Sequence, residues 1–244
     1  MSATKFVTGR YTVIALTCVA VAVMAPAPYV GSRMSELAAS DTGLAAHYAT
    51  QPQWVITVLY IHMVTAGVAL GIGPLQFSTY IRSRWLRGHR VVGRVYVLAV
   101  LPAGVSGLIV SAFSAAGLAG LFGFGTLALL WLTFTARGTL WAFRGDIARH
   151  QAWMIRGFAM TYAAVTLRAW QMVLMGVIEA SGGSGDVFAR AYAPVPFLCW
   201  IPNLIVAEYL ISRRGLPGLR YVVPRPTAAA VASPVSQTSG SVIT

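Results

Sequence analysis

Six long apolar blocks alternate with short polar connectors along the chain, at residues 11–30, 53–79, 92–114, 118–142, 153–178 and 192–212. Each block has the roughly 20 mainly apolar residues that a helix needs to cross the hydrocarbon of a bilayer. One such block is ambiguous between a buried soluble helix and a membrane span, but six in one short chain are not. The pattern predicts an all-α polytopic bundle of about six transmembrane helices. Gly71-Ile72-Gly73-Pro74 predicts a kink in the second block, and Gly117, Gly120, Gly123 and Gly125 loosen the start of the fourth. The fifth block is the least apolar, with Arg156, Arg168 and Gln171 inside it. We divide the chain into a first helix and external loop (1–52), a five-helix membrane core (53–212) and a tail (213–244). After about Val222 the tail is Pro, Ala, Ser, Thr and Val without helical period, which predicts disorder on the cytoplasmic side.

Composition supports this division. The chain is 57% hydrophobic and only 10% charged, with a mean hydropathy of +0.70, whereas soluble domains carry about 25% charged residues. That excludes a soluble globular enzyme, a disordered chain and a disulfide scaffold. Cys18 and Cys199 both lie in apolar blocks, which argues against a structural disulfide. In a soluble protein the net charge of +12 would suggest nucleic acid. Here the basic residues fall in alternate connectors, so the partner they imply is the lipid bilayer and no nucleic acid. Arg82, Arg84, Arg87, Arg90 and Arg94 lie between blocks two and three, and Arg144 and Arg149 between four and five. Arg213, Arg214, Arg220 and Arg225 follow the sixth block, and Lys5 and Arg10 precede the first. The other connectors hold only Arg33 and Arg190, among Glu36, Asp41, Glu179 and Asp186. The excess of positive charge on cytoplasmic loops then predicts a multi-pass protein of the bacterial inner membrane with both termini in the cytoplasm. The first block, with Lys5, Arg10 and Ala25-Pro26-Ala27, imitates a cleavable secretory signal. Its length and Pro28 after the would-be cut favour a retained helix.

Polar groups at bilayer depth are costly and are functional candidates by default. At a rise of 1.5 Å per residue, His62, Arg168 and Asn203 come to roughly 13, 15 and 16 Å below the outer surface, so three helices place a polar group at one level. His62 also begins a stripe of Ala66, Ala69, Gly73 and Gln76, whose small members predict a face against protein. One expectation is a ligand pocket formed by His62, Gln76, Arg168 and Asn203, with Arg168 as a permanent cation. A quinone or lipid headgroup with an anionic or carbonyl oxygen suits such a pocket. The other expectation is that these groups satisfy one another and the backbone, Asn203 serving a carbonyl freed by Pro202.

A second, inner polar cluster comprises His89, Arg94, Arg137, His150, Arg156 and Glu208. Glu208 is the only acid in that layer, which predicts an ion pair with Arg137 or Arg156. Asp146 is placed to cap the fifth helix and to raise the pKa of His150. The bland alternative is that these arginines and histidines reach the headgroups, with Trp85, Trp141 and Trp153 as an aromatic belt. His89 and His150 are the one pair positioned to hold a haem b between helices. No zinc signature, phosphate loop or nucleophile motif occurs, and no catalytic residue can be named.

Several ordered motifs carry a resemblance. His89-Arg90-Val91-Val92-Gly93-Arg94-Val95-Tyr96 gives H-R-x-x-G-R-x-Y, and His150-Gln151-Ala152-Trp153-Met154-Ile155-Arg156 gives H-x-x-W-M-x-R, continued by Ala164-Val165-Thr166-Leu167-Arg168. With Gly73-Pro74-Leu75-Gln76-Phe77 and Trp200-Ile201-Pro202-Asn203, these resemble a family of predicted bacterial membrane proteins of unknown function over about residues 55–210. The resemblance implies a multi-pass membrane protein and no activity, cofactor or substrate. A fainter likeness is to the helix bundles of b-type cytochromes, whose matched histidine pairs this sequence lacks. Three function classes follow: binding of a small ligand in the membrane, a one-haem or quinone-linked redox subunit using His89 and His150, and a small-solute transporter.

Overall fold

A computed structural model describes residues 3–39, 43–182 and 185–219, with the side chains of Gly9 and of Tyr11 onward within them. The expected tail beyond Val222, and the basic side chains of Lys5 and Arg10, lie outside the described residues. No strand occurs among those described. The elements are α1 (Ala3–Met24), α2 (Ala27–Gly31), α3 (Met34–Ala39), α4 (Leu44–Ala49), α5 (Gln53–Ile72), a 3-10 turn (Gly73–Phe77), α6 (Thr79–Arg84), α7 (Leu86–Ser111), α8 (Gly117–Phe143), α9 (Ile147–Ala180), α10 (Val187–Tyr192), α11 (Val195–Leu198) and α12 (Ile201–Arg213). Among the described residues, six stretches are long and apolar enough to cross a membrane: Tyr11–Gly31, Gln53–Phe77, Leu86–Ser111, Gly117–Phe143, Ile147–Ala180 and Val187–Arg213.

The local chemistry explains where these differ from the apolar blocks. α9 begins at Ile147 rather than 153 because the Asp146 carboxylate accepts the Arg149 backbone N–H at 2.9 Å, capping the helix as expected. α5 stops at Ile72 because Pro74 has no N–H to continue the ladder, and the chain tightens into the 3-10 turn. The sixth span is not one helix. Pro194, Pro196 and Pro202 break it into α10, α11 and α12, since each proline removes a backbone donor.

Helices α5, α7, α8 and α9 pack as successive neighbours, with α12 and the short α10 against α9, α11 against both α8 and α9, and α1 on the outside of α5 and α9. The shared core contains Tyr96, Val100, Ala103, Trp131, Phe134 and Met160. At its centre, the Thr161 hydroxyl donates to the Gly157 carbonyl (3.1 Å) and accepts from Trp131 Nε1 (2.9 Å) and Tyr96 Oη (2.6 Å). One buried side chain thereby joins α7, α8 and α9. Small residues set the approach distances, as is usual between membrane helices. Gly123 of α8 lies under the broken span, where a Cβ would sit 2.8 Å from the Pro196 backbone carbonyl. Backbone cannot swing aside as a flexible side chain can, so Gly123→Ala should cost about 1–3 kcal/mol. A lowered unfolding midpoint in detergent checks this, and an unchanged one would show that α11 moves freely.

At the end carrying the α3–α4 segment, Met34, Ala45 and Tyr48 pack on Val55, Ile56 and Leu59 of α5. His47 Nε2 donates to the Phe113 carbonyl beyond α7 at 2.8 Å, which fastens this segment over the bundle.

Candidate functional site

Beneath that cover is a cavity of about 480 Å³, bounded by α1, α5, α7, α8 and α9, a size typical of small-molecule sites. Its polar lining includes Tyr29, Tyr48, His62, Arg168, Gln171 and Tyr192. His62 Nδ1 donates to the Ala103 carbonyl of α7 at 2.9 Å. That bond fixes the tautomer, so Nε2 is left as an acceptor. Gly107 provides the room, since a Cβ there would come within 2.9 Å of the imidazole. Arg168 Nη1 donates to the Ala164 carbonyl of its own helix at 2.8 Å. Among the described residues no carboxylate lies within ion-pair distance of this guanidinium. Tyr29 and Tyr192 are within its electrostatic reach. Tyr48, in the cover outside the spans, has its pKa pushed up to about 12 by burial first and by Tyr29 second. Its hydroxyl therefore remains protonated throughout the physiological range and can donate a hydrogen bond.

The structure brings His62 and Arg168 to this cavity, but not Gln76 or Asn203. Gln76 lies fourteen residues along from His62, roughly 21 Å at the helical rise, so it belongs to the opposite end of the bundle. There its amide, turned so that each atom meets a complementary partner, donates to His89 Nδ1 (3.2 Å) and the His89 carbonyl (3.3 Å) and accepts from Gly93 N (3.2 Å). The rest of the stripe faces protein as expected, with Ala69 and Gly73 buried. Asn203 Nδ2 donates to the carbonyls of Cys199 (2.9 Å) and Ala159 (3.2 Å) and to Thr166 Oγ1 (3.0 Å), while Thr166 itself donates to Cys199 O (2.5 Å). Asn203 thus serves the carbonyl exposed where the sixth span breaks. Thr166 and Arg168, two residues apart at about 100° each, point to opposite sides of α9, which is why equal depth did not mean one site.

The inner cluster resolves into separate contacts. Arg156, fully buried, donates through Nε and Nη2 to the two carboxylate oxygens of Glu208 at 2.5 and 2.8 Å. Arg137 is exposed, and its guanidinium lies 5.0 Å from the Trp153 ring centre, which Arg156 also approaches at 4.9 Å. Trp153, expected in the interfacial belt, is instead only 9% exposed. Trp85 is exposed, and Trp141 carries Arg144 and Arg149 at 5.1 and 4.5 Å. Arg94 is exposed. His150 Nδ1 donates to the Gly138 carbonyl of α8 at 2.8 Å. Asp146 does not pair with it, because that carboxylate is held by Arg149 at 2.9 Å. His89 and His150 are within electrostatic reach of each other, but each ring is engaged by a different neighbour. Among the described residues no three His, Cys, Asp or Glu side chains are grouped to hold a metal ion.

A family model described as a predicted membrane protein family (DUF2306) matches residues 59–211. The chain belongs to this family. The family region runs from within α5 to α12, and so includes His62, Arg168, both histidine motifs and the Arg156–Glu208 pair, while α1 and the α3–α4 cover lie before it. No curated protein and no solved structure matches the chain.

Sequence reasoning missed the Tyr96–Trp131–Thr161 junction and the tyrosines of the cavity. Tyr29, Tyr48 and Tyr192 stand near block ends, where a tyrosine ordinarily reads as interfacial. The available signal was that three of them fall on the same side of the membrane as His62 and Arg168.

Proposed function

We propose that this membrane protein binds a small ligand with an anionic or carbonyl oxygen, such as a quinone or a lipid headgroup, in the cavity between His62 and Arg168. The observation that carries the reading is a guanidinium lining a cavity without a carboxylate partner among the described residues. A cation that cannot lose its charge is expensive at that depth unless an anion or dipole meets it. Tyr48 supplies a hydroxyl donor to the same space, and His62 Nε2 supplies an acceptor. Gln76, Asn203 and the inner cluster have no part in this reading, because their partners are other helices. The segregation of basic residues supports an orientation with both termini and the inner cluster on the cytoplasmic side of the cell membrane. The cavity then lies toward the external face.

Ligand extracted from detergent-purified wild type and from Arg168→Gln, compared by mass spectrometry, tests the proposal. A hydrogen bond to a charged group contributes about 1.5–3 kcal/mol, so Arg168→Gln should weaken retention by about tenfold to a hundredfold. Equal content of every co-purifying molecule in both proteins would overturn it.

A further inference from the structure

The cavity has two kinds of wall. Its cover is aromatic and fastened down. Tyr48 and Tyr192 are buried, the α3–α4 segment is tied through His47 to Phe113, and Phe188 packs so closely on Gly43 that a Cβ there would lie 2.7 Å from its ring. Gly43 has a φ of +53°, which a larger residue would adopt only under strain.

The side wall is α1 and the residues just after it, with Val21, Ala22, Ala25, Pro26 and Pro28 lining the cavity. Small residues let this helix approach α5 at Ala22. A Cβ on Gly71 would lie 3.8 Å from that of Ala22, and one on Gly67 would lie 3.6 Å from the Ala22 carbonyl. Tyr11 Oη donates to the Pro74 carbonyl (3.1 Å), and the Thr17 and Tyr162 hydroxyls meet at 3.1 Å. Among the described residues no ion pair joins α1 to the bundle. Its far side, with Val13, Leu16 and Val23, is exposed for lipid.

We infer that the ligand is a lipid-soluble amphiphile that enters sideways from the bilayer, its oxygen-bearing head reaching Arg168 and His62 as α1 parts from Gly67 and Gly71. The inference rests on the binding function proposed above and adds the ligand's class and its route. Between apolar helices in a membrane there is no hydrophobic driving force, because lipid tails replace the contacts that are lost. Parting α1 from the two glycines therefore costs little beyond the Tyr11 and Thr17 hydrogen bonds. Opening the cover means unpacking buried aromatic rings and breaking the His47 bond. Apart from its polar groups the lining is apolar, including Leu59, Met63, Leu70 and Met160, which suits a tail following the head.

The 3.8 Å separation matches the usual Cβ–Cβ distance across a disulfide, so Ala22→Cys with Gly71→Cys can lock the wall. Cys18 and Cys199 are first changed to alanine to prevent mispairing. Two probes of the shared oxygen chemistry are used with protein in lipid nanodiscs: an anthroyloxy-labelled stearate for a carboxylate, and decylubiquinone for a carbonyl. Both report through tryptophan emission, since Trp131 lines the cavity. In the reduced protein at least one probe should bind and exchange. Oxidation should slow both arrival and release by about tenfold or more, as for a site behind a closed gate. The probe that responds tells a lipid carboxylate from a quinone. Unchanged rates in fully cross-linked protein would overturn side entry while leaving binding intact, provided Arg168→Gln still weakens binding of the probe. Failure of the disulfide to form would also overturn side entry, because α1 would not rest on Gly71. If neither probe binds the wild-type protein, the binding function itself falls.

Discussion

Glu208→Ala should destabilise the detergent-solubilised protein by about 3 kcal/mol, and Arg156→Met by clearly less. Removing one partner of a buried ion pair typically costs about 3–5 kcal/mol, because the other charge stays behind uncompensated. The two partners here are not equivalent. The Arg156 side chain is 0% exposed and that of Glu208 is 37% exposed, so only the arginine is trapped when its partner goes. Its Nη1 already lacks a hydrogen-bond partner among the described residues, and Glu208→Ala would strip Nε and Nη2 as well. The face of Trp153 remains, but a cation–π contact contributes only about 0.5–2 kcal/mol. Arg156→Met leaves a carboxylate that can turn to water, and Arg156→Met with Glu208→Leu should recover much of the loss. Thermal midpoints of the three variants decide the matter. A Glu208→Ala protein as stable as wild type would show that the carboxylate is bound to solvent and not to Arg156.

This pair shows how far the sequence could be read. That Glu208 needs an arginine followed from its being the lone acid of its layer. Which arginine it takes depends on the rotation of α9 and α12 about their axes, and the broken sixth span sets that rotation. The same break moved Asn203 from an expected ligand site to a backbone staple, because its depth was counted along an unbroken helix that the prolines of this span interrupt. Depth along a helix is legible from counting, and which face points inward is legible where small residues form a stripe, as at Ala66, Ala69 and Gly73. Which two stripes meet is not, because that depends on where prolines interrupt the count.

The two histidine motifs were the most conspicuous local patterns, and the structure gives each a mechanical role. Gly93 admits the Gln76 amide, the nearest atom of which would lie 3.1 Å from a Cβ, and that amide holds His89. In the second motif, His150 bonds the Gly138 carbonyl, Met154 covers Gly138 so closely that a Cβ would meet its sulfur at 2.6 Å, and Arg156 reaches Glu208 on α12. These residues join α8, α9 and α12 at the inner end. Arg168, eighteen residues beyond His150 on α9, has no comparable partner helix, which is why the cavity and not the motifs carries the functional proposal.

Thr161→Val should lower stability by about 2–4 kcal/mol and Thr161→Ser by about 1 kcal/mol, an order opposite to the one that packing alone would give. Valine matches threonine in shape, so it preserves the 4%-exposed site and removes only the hydroxyl. Trp131 Nε1 and Tyr96 Oη, which donate to that oxygen at 2.9 and 2.6 Å, then face an apolar methyl. An unsatisfied buried donor costs about 1–3 kcal/mol, although couplings measured between membrane helices average nearer 0.6 kcal/mol, which keeps the sum toward the lower end. Serine keeps the acceptor and loses one methyl. Because Trp131 and Thr161 both line the cavity, Thr161→Val should also shift the indole emission and weaken any ligand packed on Trp131. Serine should leave the emission nearly unchanged. Greater damage from serine than from valine would mean that the methyl's packing, and not the three-helix junction, holds this wall of the cavity in place.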